Sequence, residues 1–86
     1  MDINSLNLII EKKISQNISC KKITIEDKTY LHKNHKSHEK NKFHIKLIIK
    51  SDELLKMNRI ESTKKIYKIL DYELKYYIHS IEVLLN

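Results

Sequence analysis

The sequence predicts a single α+β domain in which three strands form one sheet and the helices pack on one face of it. The chain has 86 residues, which is enough for one small domain. Hydrophobic residues make up 41% of it, which is enough for one core. Apolar residues recur with a helical period in some segments and alternate as in strands in others. Along residues 1–86 these patterns give the order α-β-β-α-α-β.

The first two elements follow from these periods. Residues 3–16 carry an apolar residue every three or four positions and predict an amphipathic helix. Asn4 or Ser5 is the expected N-cap, and Asn17 is the expected substitute for a C-terminal glycine. Residues 22–27 alternate polar and β-branched residues, which predicts a strand with one buried face.

A polar, basic segment and a second strand come next. We interpret residues 28–42 as an exposed loop that is long enough to have a function. Residues 43–50 are rich in β-branched and aromatic side chains, with apolar residues on both faces of the middle. A strand that is covered on both faces is normally central or roofed by helices, so we expect this one to be the central strand.

The last part of the chain predicts two helices and a strand. Ser51 is the expected N-cap of a short helix that is anchored by Leu54 and Leu55. A longer helix is expected over residues 60–75 and a strand over residues 76–85. The residues expected to face inward on the longer helix are Ile60, Ile66, Ile69, Leu70 and Leu74. We also assign Ile48, Ile66 and Ile81 to the core.

Composition excludes several classes of protein. The sequence has no glycine, which excludes the P-loop and the dinucleotide-binding fingerprint. Its single cysteine, Cys20, cannot form an internal disulfide, so a reducing compartment is expected. The longest apolar runs have three residues, so no membrane span is expected. We expect a cytoplasmic protein, with a mitochondrial or nuclear location as the alternative. Neither Ser51, Ser62 nor Cys20 has a nearby histidine–acid constellation, so we do not expect an enzyme.

Histidines stand out in the predicted loop. His32, His35 and His38 are three residues apart, a spacing that lets two imidazoles converge on one ion of iron, zinc or copper. No carboxylate or thiolate stands at an obvious third position. The loop is therefore a solvated segment, a weak metal site, or a site that a partner completes. His44 and His79 lie within strand patterns and are expected to be buried or half-buried, with a backbone hydrogen bond each.

The basic residues permit a nucleic-acid interpretation. The net charge is +6, and Lys64, Lys65 and Lys68 with Arg59 would form a stripe on one helix that neutralises phosphates. Lysine is nevertheless spread over the whole chain, Arg59 is the only arginine, and no aromatic platform interleaves these residues. A generally solvated basic surface explains the same composition.

Several short blocks follow one another between residues 25 and 83. They are Asp27-Lys28-Thr29, His32-Lys33-Asn34-His35, the histidine His44 at the second strand, Ile66-Tyr67, Glu73-Leu74 and Ile78-His79-Ser80-Ile81. In order and spacing, these blocks together resemble the BolA family. The first two correspond to its Asp-x-Ser/Thr and His-x-Gly-His motifs, with Asn34 in place of the glycine, and the last three correspond to its helix and last-strand motifs.

The resemblance implies a fold and a function. The fold is BolA-like, an arrangement shared with class II KH-like domains. The function is that of an adaptor that partners a monothiol glutaredoxin in iron–sulfur cluster trafficking or iron sensing. The chain would be a monomer alone and a heterodimer with its partner, with a docking surface at residues 62–67. The alternative is a nucleic-acid-binding transcriptional regulator that uses Arg59, Lys64, Lys65 and Lys68.

The resemblance also implies a cofactor, a [2Fe-2S] cluster shared with the glutaredoxin. The partner would supply cysteine ligands, and His32 or His35 would supply an imidazole. The family's Arg-His-Arg signature falls on Ser62-Thr63-Lys64 here. A neutral threonine hydroxyl does not ligate iron as an imidazole does, so the loop is expected to carry the ligand alone.

Overall fold

The computed structural model describes residues 1–29 and 42–86 and contains the predicted order of elements with one change. The helix expected over residues 60–75 is divided in two at Leu70. The elements are α1 (Ile3–Asn17), β1 (Lys22–Asp27), β2 (Phe43–Lys50), α2 (Asp52–Leu55), α3 (Arg59–Ile69), α4 (Asp71–Tyr76) and β3 (Ile78–Leu85). Within the described ranges, no helix is long and apolar enough to cross a membrane.

The three strands form one sheet in the order β1-β2-β3. The predicted central position of β2 is therefore confirmed. β1 pairs with β2 in antiparallel orientation, whereas β3 pairs with it in parallel orientation. On the apolar face of the sheet, Leu47 of β2 pairs with Ile25 of β1 on one side and with Val83 of β3 on the other.

The helices cover one face of this sheet and close the core. Leu47 and Ile49 from β2 are fully buried against residues of the helical layer. The fully buried helical residues in that layer are Leu6, Ile10, Ile14, Leu54, Ile66 and Leu70. Ile81, Val83 and Leu85 of β3 pack against this core and are partly buried, as the alternation in that strand predicts.

Ile48 corrects the predicted core. Its Cα partners are Thr24 and Leu84, so it lies on the sheet face opposite the helical layer, and it is only half-buried. The run Leu47-Ile48-Ile49 has no alternation, so periodicity could not show which face Ile48 occupies. On the same face of β2 as Ile48, His44 is buried.

The helix ends also differ from the expected ones. Asp2 caps α1 by accepting from the Ser5 backbone N–H at 2.8 Å, so Asn4 and Ser5 already lie inside the helix. The helix ends at Ile18, whose backbone is extended, and no described residue has a positive φ. Asn17 therefore does not act as a left-handed cap. Ser51 does cap α2 as predicted, since its Oγ accepts from the Leu54 N–H at 3.2 Å.

Two apolar residues that were expected to face inward are exposed. Leu55 is 54% exposed and Ile60 is 68% exposed. Both residues lie near a helix end. Because few apolar positions define the helical period there, the sequence does not determine which side of the helix faces the core. The other predicted inward residues of the long helix are buried or half-buried.

A half-buried ion pair joins the first and last helices. Lys13 Nζ on α1 donates to both carboxylate oxygens of Glu73 on α4 at 2.8 Å. Glu73 is only 3% exposed, so this carboxylate depends on Lys13 to compensate its charge.

The division of the expected long helix into α3 and α4 was not indicated by the sequence pattern. Neither glycine nor proline marks it.

Truncation of core residues tests these facing assignments. Ile66→Ala is expected to lower the free energy of unfolding by about 2–5 kcal/mol, because it leaves a cavity in a fully buried layer. Ile48→Ala is expected to cost less than about 1.5 kcal/mol, because the side chain lies outside that layer. Urea denaturation followed by circular dichroism measures both. Equal losses in the two variants would contradict the assignment of Ile48.

Candidate functional site at the histidine end of the sheet

The predicted metal residues His32 and His35 lie outside the described residues, as does His38. The chain leaves β1 at Asp27 and enters β2 at Phe43. Asp27 is the register partner of Ile45, so the connection begins and ends at the same end of the sheet. The assignment of His32 and His35 as ligands stays a prediction.

His44 organises this end of the sheet. It is 6% exposed, and its Nδ1 lies 2.6 Å from Ser80 Oγ on β3. Its backbone N–H donates to Thr29 Oγ1 at 3.1 Å, and its carbonyl accepts from the Lys28 N–H at 2.7 Å. Burial of His44 was predicted correctly. Its ring contacts a side-chain hydroxyl rather than the expected backbone group.

The Asp27-Lys28-Thr29 motif holds the start of the connection against His44. Asp27 Oδ1 accepts from both the backbone N–H and the hydroxyl of Thr29, which is the local turn that aspartate favours. The Thr29 hydroxyl is thereby fixed where it accepts from the His44 N–H. The physical reason for this residue pattern is therefore a turn that links β1 to the start of β2.

His79 lies beside His44 and is exposed, which corrects the expected half-burial. The two ring centroids are 4.8 Å apart, and the rings are tilted by 54°. Phe43 pairs with Ile78 but His44 pairs with Ser80, so β3 has one extra residue at His79. Such a bulge changes the direction of a side chain relative to regular alternation. The sequence contained both histidines at strand starts, but it did not reveal the bulge.

The described part of this site does not hold a metal by itself. No group of three or more potential ligands among histidine, cysteine, aspartate and glutamate occurs in residues 1–29 and 42–86. The only thiol, Cys20, lies between α1 and β1 and contacts the Ile18 carbonyl at 3.5 Å. Burial, and secondarily the charge of Glu53, raise the pKa of this thiol, so it stays protonated at neutral pH. Thiolate ligands would have to come from another chain.

Thr63, the residue at the family's histidine position, lies on α3. It lines a groove together with residues 81–85 of β3. The neighbouring Ser62 is buried and donates to the Arg59 carbonyl at 3.1 Å. The connection that carries His32 and His35 joins the sheet beside His44. His44 lines a separate pocket with Ser80, and Thr63 is not among the residues that line it.

The predicted basic stripe is only partly available. Lys64, Lys68 and Arg59 are exposed. Lys65 instead donates to Glu53 Oε2 at 2.9 Å and links α3 to α2. Glu53 also accepts from the Ser19 backbone N–H at 3.2 Å.

An aromatic surface on α4 was not recognised in the sequence. Tyr72 and Tyr76 are about half exposed, with ring centroids 4.7 Å apart. Lys75 lies 5.5 Å from the centroid of Tyr76, and Lys13 lies 5.9 Å from that of Tyr72. The four-residue spacing of the tyrosines on a helix was the available signal. An exposed aromatic pair does therefore lie next to cations in this protein, although on α4 rather than within the basic stripe of α3.

The fold and the site together define a small α+β domain in which the buried His44 and the exposed His79 lie side by side at one end of the sheet. Comparisons with known proteins agree with this class of domain. A family model described as BolA-like protein matches residues 14–85. The DNA-binding transcriptional regulator BolA of Haemophilus influenzae is 29% identical over 77 residues, which are 90% of this chain and 72% of that protein. The chain therefore belongs to the BolA-like family.

Solved structures show the same fold. The BolA domain of SufE1 from Arabidopsis thaliana superposes with a TM-score of 0.76 at 22% identity, covering 100% of this chain and 93% of that one. BolA1 from the same plant gives a TM-score of 0.72 at 21% identity, covering 90% of this chain and 85% of its own. The predicted BolA-like α+β fold is thus confirmed.

The contacts of Glu53 predict a pH dependence. Its pKa lies below the usual value, first because Lys65 donates to it and second because the Ser19 N–H does. As the pH falls, Glu53 is therefore protonated in the unfolded chain before it is protonated in the folded chain. The Glu53 carboxylate stabilises the fold above about pH 4.3, and this stabilisation is lost as the pH falls through its lower pKa in the folded chain. Glu53→Gln is expected to flatten the loss of stability between about pH 5 and pH 3.

Urea denaturation at a series of pH values measures this effect. Glu11→Gln is the matched control, because Glu11 is exposed and forms no ion pair with another described residue. It should leave the slope unchanged. An identical acid limb in the Glu53 variant and the natural protein would contradict the assignment.

Proposed function

We propose that this chain is a BolA-like adaptor that binds a monothiol glutaredoxin and shares a [2Fe-2S] cluster with it as cargo. Membership of the BolA-like family supports the adaptor class. The single observation that carries the proposal is the exposed His79, which a bulge places next to His44 at the end of the sheet where the histidine-rich connection is attached.

The ligand chemistry supports a shared cluster rather than one held by this chain alone. An iron–sulfur cluster is bound by cysteine thiolates, and imidazole can replace some of them. The described residues include two neighbouring imidazoles but no thiol at this end of the sheet. A glutaredoxin would contribute the thiolates. This chain would contribute His79 and one of His32 and His35.

His44 has a different role in this proposal. Its Nδ1 is engaged with Ser80, and the residue is buried, so it positions the start of β2 and packs against the His79 ring. Contacts of this kind fix the orientation of a neighbouring ligand. His44 is therefore proposed as a positioning residue and His79 as the ligand.

Cluster reconstitution tests this function. The protein is mixed with a reduced monothiol glutaredoxin, iron and sulfide without oxygen, and the visible absorbance and circular dichroism of the complex are recorded. His79→Ala and the double variant His32→Ala/His35→Ala are each expected to change the spectrum, because each removes an imidazole ligand.

Thr63 provides the control. Thr63→Ala and Thr63→His are both expected to leave the spectrum unchanged, because Thr63 lines the groove beside residues 81–85. If both histidine variants gave the natural spectrum, this chain would contribute no ligand and the proposed cluster sharing would be wrong. A glutaredoxin partnership without a cluster, or the second candidate below, would then take its place.

A second candidate is a nucleic-acid-binding regulator. The relative from Haemophilus influenzae is named a DNA-binding transcriptional regulator. Lys64 and Lys68 are exposed on one helix at a four-residue spacing, and Arg59 is exposed at the start of that helix. No described carboxylate forms an ion pair with any of the three. These cations are therefore available for phosphate contacts.

A mobility-shift titration of duplex DNA at several salt concentrations tests this candidate. Each lysine that contacts a phosphate should contribute about 0.9 to the slope of log affinity against log salt. Lys64→Ala/Lys68→Ala is expected to reduce both affinity and slope. Lys65→Ala is the control with a smaller effect, because Lys65 is already paired with Glu53. A slope that is the same in all three proteins would exclude binding through this stripe.

A further inference from the structure

A groove lies between the α2–α3 region and residues 81–85 of β3. Its volume is about 630 Å³. Residues 81–85 form one wall, and the other is formed by Leu54, Leu55, Met57, Arg59, Ser62, Thr63 and Tyr67. None of these side chains takes part in the histidine site described above.

Two large apolar or aromatic side chains on the helical wall of this groove are exposed. Leu55 is 54% exposed and Tyr67 is 42% exposed. Single exposed apolar residues are common on protein surfaces, but two that line one groove beside the partly buried Ile81, Val83 and Leu85 indicate an interaction surface. Leu84 is the register partner of Ile48, so its side chain lies on the sheet face opposite the helices.

The same groove follows the outer edge of β3, with which no other described strand pairs. Asn86 directs its N–H and its carbonyl toward β2, bonding Ile49 and Ser51. Because these groups alternate in direction along a strand, those of Ile81, Val83 and Leu85 point to the outer edge of β3. No strand within residues 1–29 and 42–86 pairs with that edge. Three consecutive rungs of main-chain donors and acceptors are therefore available for a further strand.

The charge in the groove identifies the kind of partner. Arg59 and Glu82 are the charged residues that line it. Glu82 is the register partner of Lys46 on β2, so its side chain lies on the sheet face opposite the helices and points away from Arg59. Arg59 is exposed and has no ion pair with a described carboxylate. Among the described residues, the groove thus presents one cation without an ion-pair partner beside an apolar surface and an unpaired strand edge.

We propose that this groove binds an extended, acidic segment of a partner protein as a fourth strand. The segment's main chain pairs with the outer edge of Ile81, Val83 and Leu85. Its alternate apolar side chains enter the groove, and a carboxylate binds Arg59. A second copy of this chain fits less well, because each copy carries a net charge of +6 and the two would repel one another. The proposal does not depend on an iron–sulfur cluster.

Nuclear magnetic resonance titration of the isotopically labelled protein tests the proposal. The probe is an acetylated hexapeptide of sequence Glu-Thr-Val-Thr-Val-Thr, whose glutamate and valines share one face of a strand. Saturable shifts are expected at the backbone amides of Ile81, Val83 and Leu85. The same peptide with lysine in place of glutamate should bind about tenfold more weakly.

Variants of the protein separate the contributions. Arg59→Glu should weaken binding of the acidic probe about tenfold and favour the lysine probe, whereas Lys64→Glu, on the same helix but outside the groove, should change it little. Leu55→Ser should weaken binding, whereas Leu8→Ser, at an exposed leucine on α1, should not. Val83→Pro removes an outward N–H without removing a β2–β3 bond, and it should weaken binding while the protein stays folded.

Two results would overturn the proposal. One is the absence of saturable shifts at these three amides at millimolar probe. The other is a shift of the same amides when the protein alone is diluted, which would make the occupant a second copy. The titration contains no iron, sulfide or glutaredoxin, so a negative result in it does not bear on the proposed cluster sharing. In the same way, a negative cluster reconstitution does not bear on peptide binding in the groove.

Discussion

The parallel pairing of β2 with β3 is the constraint on which the other features depend. A parallel neighbour requires a crossover, so the 27 residues between Lys50 and Ile78 must pass over one face of the sheet, and they do so as α2, α3 and α4. That crossover, with α1, buries the apolar face of β2 that carries Leu47 and Ile49. Parallel pairing also places the starts of β2 and β3 side by side, which brings His44 next to His79.

Much of the fold was predictable because the strands have clear local patterns. The bounds of β1 and β2 agree with the prediction, and Ser51 caps α2 as expected. The direction of Ile48 was not predictable, because three apolar residues in a row carry no period. The division at Leu70 was not predictable either, since neither glycine nor proline marks it. The contact between His44 and His79 depends on a bulge, which is a property of pairing between strands rather than of either strand alone.

β3 connects the two regions to which functions are proposed here. Its first residues carry the exposed imidazole, and residues 81–85 line the apolar groove. An eight-residue strand is about 25 Å long, so one partner of ordinary size can contact both regions. Thr63 lines the groove, whereas His44 and His79 lie in contact with each other at the start of β2 and β3. The ligand assignment of His32 and His35 rests on spacing and family resemblance alone.

The position of α1 matters for anyone who wishes to work with a shortened version of this protein. The family match begins at residue 14, within the last turn of that helix. Yet Leu6 and Ile10 are fully buried, and Lys13 compensates the carboxylate of Glu73. A fragment cut where the family similarity starts would expose a hydrophobic surface and leave an acidic group enclosed without its counter-ion. The minimal folding unit of this protein is therefore larger than the region that the family model matches.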